Sequence, residues 1–533
     1  FRPSGAPEID TLPYRFMTLA AKLANSKHQD YHSIIGSDGH GSEVSGKSSG
    51  TNAQGNSVLV TAGVIIGDTL GAGLLTMPGA LSMFGWLAGS MFIVGMLALN
   101  LHICMLLWRM RMAFPQAHTF GELAEASFSR APRWQRSLMR QVTDYLQHIF
   151  VFFLLSADAT SFGKGLGLLF YDVHICLPVW VLIGSAILLP IHARTRSLGG
   201  NKLSISLNCV AVICCVGLCL RHFAHQGVLA SRGADAEFAA VTSMSALGVL
   251  NGLNIMMFNF TIQFMVVEIA SEMEKPQEFP RALWGYAFPF LAALFTLCGV
   301  GGYYYLGNKA HGLLIGHMPF GVPLRCTAAC LVFLVLVAYL LKSVVLCRTI
   351  HAHCDPKHAG CVSARSEAGY TFTIVLVLGA AFLVSQVVPF FTPFIDLIGA
   401  TLAPLCCIVI PLVMYAQWRS AFGSSREIGA LDASEWVLIL LEVAICVLVM
   451  TLGTYDSLLT IVRGWEEFGS PFSCHCELLW NTCGCSASKP GMPGCGPRSG
   501  WLDQAVSLYA DSLGLAGGLE SIRQGAGTYL WWY

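Results

Sequence analysis

The longest uncharged stretch in the chain is the feature that most limits its possible folds. Residues 69–108 form a run of forty without Asp, Glu, Lys or Arg. A helix that crosses a bilayer needs about 20 apolar residues and satisfies all its backbone polar groups internally. The run therefore accommodates the end of one spanning helix, a turn at residues 83–85 and a complete second helix. Because only 12% of the chain is charged, against about 25% in soluble domains, we predict a polytopic membrane protein.

Nine further apolar windows follow this run, and they bring the predicted number of spans to eleven. The windows are 145–163, 173–193, 203–220, 238–267, 282–308, 326–341, 370–395, 397–418 and 436–453. The sequence thus predicts an all-α membrane protein with eleven transmembrane helices in residues 58–453. The preceding residues 1–57 are polar, and within them 33–56 have the Gly- and Ser-rich composition of disordered chain. Residues 454–533 form a tail rich in Cys and Gly.

The distribution of lysine and arginine among the predicted loops indicates the orientation of the spans. Seventeen of them fall in predicted loops on one side of the membrane and five on the other, and cytoplasmic loops carry the excess. We therefore expect a cytosolic N-terminus and a non-cytosolic C-terminal tail. Basic and acidic residues are equal in number, at 31 each, so no nucleic-acid partner is expected. The sequence leaves open the oligomeric state and the choice between the plasma membrane and a vacuolar or lysosomal membrane.

The middle of the first predicted span contains features that disfavour a continuous helix. Gly67, Gly71 and Gly73 surround Asp68, and a carboxylate at this depth is costly and is a candidate functional group by default. A break here would free amides that attract a carboxylate and carbonyls that attract an ammonium group, which are the two charges of an amino acid zwitterion. Alternatively, the glycines allow close helix packing, and Asp68 caps the second half-helix.

The sixth predicted span, five spans later, is unusually polar. Residues 250–263 read LNGLNIMMFNFTIQ, and a second break is expected at the corresponding place of a second repeat. The alternative is that the amide side chains form ordinary hydrogen bonds between helices.

Four motifs make the chain resemble the amino acid/auxin permease family, which includes sodium-coupled neutral and proton-coupled amino acid transporters. The motifs are GAGLLTMP at 71–78, HTFGEL at 118–123, EMEKPQEFP at 272–280 and LIGA at 397–400 followed by Pro411. The first and third are the specific ones. The resemblance implies a secondary transporter built as a five-plus-five inverted repeat, with broken helices 1 and 6 and alternating access around them.

The resemblance also implies which residues bind the amino acid. The residues expected to meet its carboxylate are Leu70, Gly71, Ala72 and Gly73. Those expected to meet its amino group are Ile66, Gly67, Phe258, Asn259, Phe260 and Thr261. No cofactor is expected other than a coupling ion, H⁺ or Na⁺.

Two departures from the family pattern favour H⁺ as that ion. Sodium-coupled members usually have Asn where this chain has Gly67, and the eighth span has few hydroxyls and contains Lys342, whose side chain can reach the inner interface. Asp68 and Asp158 are the candidate proton carriers, since a desolvated carboxylate can take up and release a proton. Glu268 and Asp396 are expected near span ends, and Glu442 is expected to be structural.

Other functions remain open alternatives. An amino acid sensor or receptor would use the same site as a transporter, whether the transporter works by symport or by export. A membrane-embedded enzyme is disfavoured, because the chain has no HExxH or GxSxG motif and no nucleotide-binding loop, and we expect no catalytic residues. The residues His351, His353, Cys354, His358 and Cys361 are expected to bind no metal. Five tail cysteines, at 474, 476, 483, 485 and 495, leave at least one thiol unpaired within the tail.

Overall fold

The computed structural model describes residues 55–468, apart from 174, 196–201, 229–230, 232–236, 243–245, 311, 356–362, 388–390 and 423–432. The predicted disordered segment up to residue 54, the five tail cysteines, His358 and Cys361 lie outside the described residues. Within the described residues the chain is helical, and the single β-bridge joins Asn56 to Met273.

The helices of the first half are numbered in chain order. They are α1 (Val58–Thr69), α2 (Met77–Phe84), α3 (Trp86–Ala113), α4 (Phe120–Ser127), α5 (Arg133–Leu169), α6 (Leu177–Ala193) and α7 (Lys202–Gln226). A 3₁₀ turn, Ala72–Thr76, leads into α2. The turn between α2 and α3 falls at Gly85, whose φ of 90° favours glycine, so the predicted turn at 83–85 is confirmed.

The second half continues the same pattern with more interruptions. Its helices are α8 (Ala246–Asn259), α9 (Val266–Ser271), α10 (Phe288–Leu306), α11 (Val322–Cys354), α12 (Ala364–Val387), α13 (Phe391–Ala400), α14 (Leu402–Pro404), α15 (Ile410–Phe422), α16 (Ala433–Leu448) and α17 (Thr454–Phe468). Short π-helical segments, Arg281–Ala287, Leu405–Val409 and Val449–Gly453, join neighbouring helices into longer spans.

Length and hydropathy identify the membrane spans. Among the described residues, nine helices are long and apolar enough to cross a bilayer, and the bent pair of Val58–Thr69 and Ala72–Phe84 makes ten. Helix α6 is a shorter apolar helix of 17 residues. The chain is therefore a multi-pass membrane protein whose described part is helical.

Burial separates central spans from peripheral ones. The α8–α9 span is 89% buried by the rest of the protein, and the spans of α5 and α11 are 83% and 72% buried. The last span, Glu435–Val462, is only 22% buried, so the other described helices leave most of its surface uncovered. This span also continues past residue 453, where the sequence places the start of the tail.

The segment after α9 packs against the beginning of α1 and against α4. The Asn56 amide donates to the Glu272 carbonyl at 2.8 Å. Helix α4 begins with a capping box in which Thr119 and Glu122 exchange hydrogen bonds, and the Phe120 amide donates to Glu268 at 3.0 Å. The family motif at 118–123 thus forms a helix cap that contacts the helix preceding the motif at 272–280.

Candidate substrate and ion site

The first helix breaks where the glycines surround Asp68. Helix α1 ends at Thr69, Gly71 is extended (φ −105°, ψ −160°), and helical winding resumes at Ala72. The axes before and after the break differ by 54°. No acceptor contacts the amides of Ala72 and Gly73 in the described part of the chain, because the first residues of a helix have no intrahelical partner.

The sixth span also loses its winding, between Asn259 and Gln263. Helix α8 ends at Asn259, and a 3₁₀ turn begins at Gln263. The Gln263 side chain accepts from the Ile262 amide at 2.9 Å and donates to Asn100 Oδ1 on α3 at 2.5 Å. One side chain thus replaces a lost backbone partner and connects the break to a neighbouring span. The two halves still form one apolar span, Gly248–Ser271.

The two breaks contact each other directly. The Asn259 side chain packs on Gly73 so closely that a Cβ there would overlap it, and its Nδ2 lies 3.5 Å from Thr76 Oγ1. Glycine at position 73 is therefore required by the close approach of the facing helix.

A cavity of about 30 Å³ lies between the breaks. Helices α5 and α11 complete its wall through Leu154, Ala157, Asp158 and Lys342. A space of this size holds about two water molecules. It is lined by exposed main chain, two carboxylates and one ammonium group, which is an unusual surface for the centre of a membrane protein.

Three ionisable side chains form what we call the charged cluster: Asp68, Asp158 and Lys342. Lys342 Nζ lies 3.2 Å from the Asp68 carbonyl, 3.8 Å from Asp68 Oδ1 and 3.4 Å from Asp158 Oδ2. All three residues are buried. The lysine ammonium therefore lies against the carbonyl end of the first half-helix, the position at which the break favours a cation.

Eight of the twelve predicted site residues line this cavity. They are Asp68, Gly71, Ala72, Gly73, Asp158, Phe258, Asn259 and Thr261. The other four lie outside its lining, namely Ile66, Gly67, Leu70 and Phe260. The Leu70 amide already donates to the Ile66 carbonyl at 2.9 Å, Gly67 packs against Leu341 and Asn208, and the Phe260 ring packs edge-on against Phe295.

Several alternatives weighed from the sequence are wrong. Asp68 caps no helix, because neither carboxylate oxygen accepts a hydrogen bond among the described residues. Lys342 does not extend to the interface, because its ammonium is held by the charged cluster. Glu268 and Asp396 do lie near the ends of their spans, as expected, but each has a buried carboxylate oxygen there. Lys164, which the sequence places in an outer loop, is buried in α5.

Sequence reasoning missed three features of the structure: the cap of the second break, a contact that holds α9, and a disulfide in the connection before α6. Gln263 was seen only as part of a polar stretch, not as the cap of the break. Gln147 on α5 donates to the Phe264 carbonyl at 2.6 Å and to Glu268 at 2.9 Å, which holds α9 against the third span. Cys176, in the connection before α6, is disulfide-bonded.

Comparison with known proteins identifies the family. The sequence profile described as transmembrane amino acid transporter protein matches residues 54–458, which is most of the chain. The chain belongs to this family. The resemblance to amino acid permeases is thereby confirmed, and no curated protein sequence matches the chain significantly.

The fold is shared with solved transporters. One is MhsT, whose crystal structure is in complex with L-phenylalanine. It superposes with a TM-score of 0.51 over 77% of this chain and 99% of the MhsT chain, at 13% sequence identity. This likeness assigns the chain the fold of the LeuT-type transporters. Family and fold together make the protein a membrane transporter and not an enzyme.

Proposed function

We propose that this transporter is a secondary active carrier that moves amino acids by alternating access, with H⁺ as the coupling ion. The observation that carries the proposal is the charged cluster placed between two helix breaks. The family and the fold support amino acid transport, and the MhsT structure holds an amino acid. The coupling ion and the residues involved are inferred from the geometry of the site.

The proposed substrate position lies between the two breaks. The unpaired amides of Ala72 and Gly73 face a cavity that also contacts Phe258 and Thr261. An amino acid carboxylate fits the amide end of the second half-helix, and its ammonium group fits carbonyl groups and carboxylates. Because the cavity holds about two water molecules, the surrounding helices must move apart to admit an amino acid, as alternating access requires.

The transporter that we propose has eleven spans arranged as an inverted repeat. Ten spans pass the length test, counting the bent pair as one, and the 17-residue helix α6 would be the eleventh. The breaks then fall in spans 1 and 6, which are the corresponding positions of two five-span repeats. This correspondence supports a pseudo-symmetric transporter with its site at the midplane.

The charge balance of the cluster supports H⁺ over Na⁺. Lys342 already places a cation against the carbonyl end of α1, so a sodium ion there would meet an ammonium group in a low-dielectric site. Two carboxylates and one ammonium leave one surplus negative charge, and unbalanced charge is costly to bury. A proton on Asp68 or Asp158 removes the surplus. We propose that these aspartates carry the coupling proton.

The proposed orientation keeps the N-terminus in the cytosol. Lys164 and Lys342 both prove to be buried, and removing one residue from each side preserves the excess of basic residues in the inner loops. The disulfide at Cys176 supports a non-cytosolic position for the connection between α5 and α6, because disulfides persist in oxidising compartments. Plasma membrane and vacuolar or lysosomal membrane both fit this orientation.

Uptake into proteoliposomes tests the proposal. The purified full chain would be given each of the twenty labelled amino acids at two external pH values, with Na⁺ present or replaced by choline. We expect accumulation of at least one amino acid that increases at the lower external pH and does not depend on Na⁺. Absence of uptake for all twenty under both gradients would contradict transport. Binding without uptake would indicate a sensor on the transporter fold.

A variant separates coupling from transport. Asp68→Asn should remove the pH dependence of uptake if Asp68 carries the proton, because an amide cannot titrate in this range. Glu125→Gln, which alters a partly exposed carboxylate on α4, is the matched control and should retain it. Unchanged pH dependence in Asp68→Asn would remove this role from Asp68.

A further inference from the structure

A second buried polar group lies beside the charged cluster and is not used by the proposed substrate site. It is centred on His192, near the end of α6, which is 1% exposed. A buried imidazole that contacts several hydroxyl groups is uncommon in an apolar span, because each polar group needs a partner in the hydrocarbon region. Its neighbours come from α11 and α12.

The contacts of His192 connect three helices. The Ser343 hydroxyl on α11 lies 3.3 Å from Nδ1 and 3.2 Å from Nε2 of the imidazole. The Tyr370 hydroxyl on α12 lies 3.5 Å from Nε2 and donates to the Thr195 carbonyl at 3.3 Å. Thr195 is partly exposed just after α6 ends. A chain of groups that can exchange protons therefore leads from His192 to the membrane surface.

The other end of this chain approaches the charged cluster. Ser343 follows Lys342 directly in α11. One turn earlier, the Tyr339 ring lies edge-on to His192, with ring centroids 6.2 Å apart. The Tyr339 hydroxyl is buried without a hydrogen-bond partner among the described residues. Tyr339 also precedes Lys342 by three residues in α11, so the two residues lie on one face of the helix. Tyr339 thus packs against the imidazole from the helix face that carries the lysine of the charged cluster.

We propose that Tyr339, Ser343, His192 and Tyr370 form a proton path between the charged cluster and the membrane surface near Thr195. This inference rests on the proposed proton coupling and adds the route by which the proton leaves or reaches Asp158. In the proposed orientation, the path opens to the cytosol. His192 is its central member, because a histidine can accept a proton on one ring nitrogen and release one from the other.

The transfer balances without any further reactant. A protonated Asp158 gives its proton to the Tyr339 hydroxyl, which passes its own proton to the Ser343 hydroxyl. Ser343 in turn gives its hydroxyl proton to one nitrogen of His192. The imidazole releases the proton on its other nitrogen to Tyr370, and Tyr370 releases its hydroxyl proton to water near Thr195. Each donor recovers a proton from its neighbour, so the net change is one proton moved from Asp158 to solution.

The groups that face His192 set the conditions for this relay. Helix α11 presents Tyr339 and Ser343, and α12 presents Tyr370. His351, at the end of α11, contacts Tyr370 with ring centroids 6.0 Å apart. Lys342 is bound to the two aspartates, so its positive charge is balanced within the charged cluster.

Two readouts in proteoliposomes separate a proton path from a structural role. The first is exchange of the best labelled amino acid at equal pH on both sides, which needs no net proton movement. The second is accumulation driven by a pH gradient, followed together with internal acidification by an enclosed pH dye. The variants are His192→Gln, which keeps hydrogen-bonding capacity, and Tyr370→Phe, which removes only the hydroxyl. His148→Gln, a partly buried histidine on α5 outside the path, is the matched control.

We expect both path variants to retain exchange while gradient-driven accumulation and acidification fall at least roughly tenfold, the scale of losing a proton-transfer group. His148→Gln should match the parent protein in both assays. Gradient-driven accumulation equal to the parent's would overturn the path, and so would a parallel loss of exchange and accumulation. If the parent protein shows exchange but no response to a pH gradient, that result contradicts the proposed proton coupling itself, and with it the path.

Discussion

At the scale of single residues, Lys342 shows most clearly what a sequence cannot convey. In isolation, a lysine on an apolar helix is interpreted as reaching for the interface. In the folded protein it bonds to the carbonyl of a residue 274 positions away and lies between two carboxylates. A buried ammonium needs such partners, and only the packing of α1, α5 and α11 brings them together.

The substitution Lys342→Met tests this arrangement. It leaves Asp68 and Asp158 buried with no ammonium beside them, and breaking a buried ion pair costs about 3–5 kcal/mol. We expect a clearly lower unfolding temperature of the detergent-solubilised protein and no uptake. Adding Asp158→Asn to this variant should restore part of the lost stability, because one of the two unpaired charges is removed. Equal stability of the parent and the single variant would show that the cluster is not a buried ion pair.

Gly73 makes a second prediction at this scale. A methyl group at this position would overlap the Asn259 side chain, and overpacking costs about 1–3 kcal/mol. Gly73→Ala should therefore abolish or strongly reduce uptake, because it forces the two breaks apart. Gly95→Ala is the control, since a Cβ there has open space around it. Normal uptake in Gly73→Ala would mean that the close contact is not needed for transport.

At the scale of helices and their breaks, the sequence predicted the position of the first break but not the construction of the second. Glycines and a carboxylate are unfavourable in a continuous helix, so the weakness at residues 67–73 was visible. In the sixth span, the polar residues indicated a break without showing which of them supports it. Gln263 does so by bonding to Ile262 and to Asn100 on a distant helix, and such a partner depends on tertiary packing.

The substitution Gln263→Leu tests the role of this side chain. It leaves the buried Ile262 amide without an acceptor, which costs about 1–3 kcal/mol. We expect a lower unfolding temperature and reduced uptake, because the second break loses its support. Gln141→Leu, at an exposed position on α5, should leave both unchanged. Parent-like behaviour of Gln263→Leu would indicate that the break is maintained by the backbone alone.

The acidic residues near span ends show a similar limit to what the sequence alone can predict. Glu268 and Asp396 lie near the ends of their spans, as the sequence predicted. One carboxylate oxygen of each is nevertheless buried, since burial depends on neighbouring helices and not only on depth along one helix. Glu442 pairs with His102 at 2.7 Å, which connects the last span to α3 and agrees with a structural role.

At the scale of the whole molecule, the last span is the least buried of the spans, and the spans beside the site are the most buried. The spans that contribute α5, α8–α9 and α11 to the cavity are the most buried, whereas the span Glu435–Val462 is largely uncovered by the other described helices. A carrier needs a protected centre that can open to either side. The proposed orientation then determines which helix ends face the cytosol.

Cysteine labelling tests this orientation. Cys354 is exposed at the end of α11, which the proposal places on the cytosolic side. A membrane-impermeant maleimide should label Cys354 in inside-out vesicles and not in intact cells, and Cys354→Ser should remove that label. Because only the signal lost in Cys354→Ser is counted, other reactive cysteines do not affect the result. Labelling of Cys354 from outside intact cells would reverse the orientation.

The central claim is that backbone groups left without helical partners at the two breaks bind an amino acid zwitterion. An experimental structure of the full chain with its best transported amino acid tests this most directly. We expect the carboxylate within hydrogen-bond distance of the Ala72 and Gly73 amides, and the ammonium group beside the carbonyls of residues 258–261. An amino acid bound elsewhere, with the two breaks and the charged cluster unoccupied, would contradict the claim.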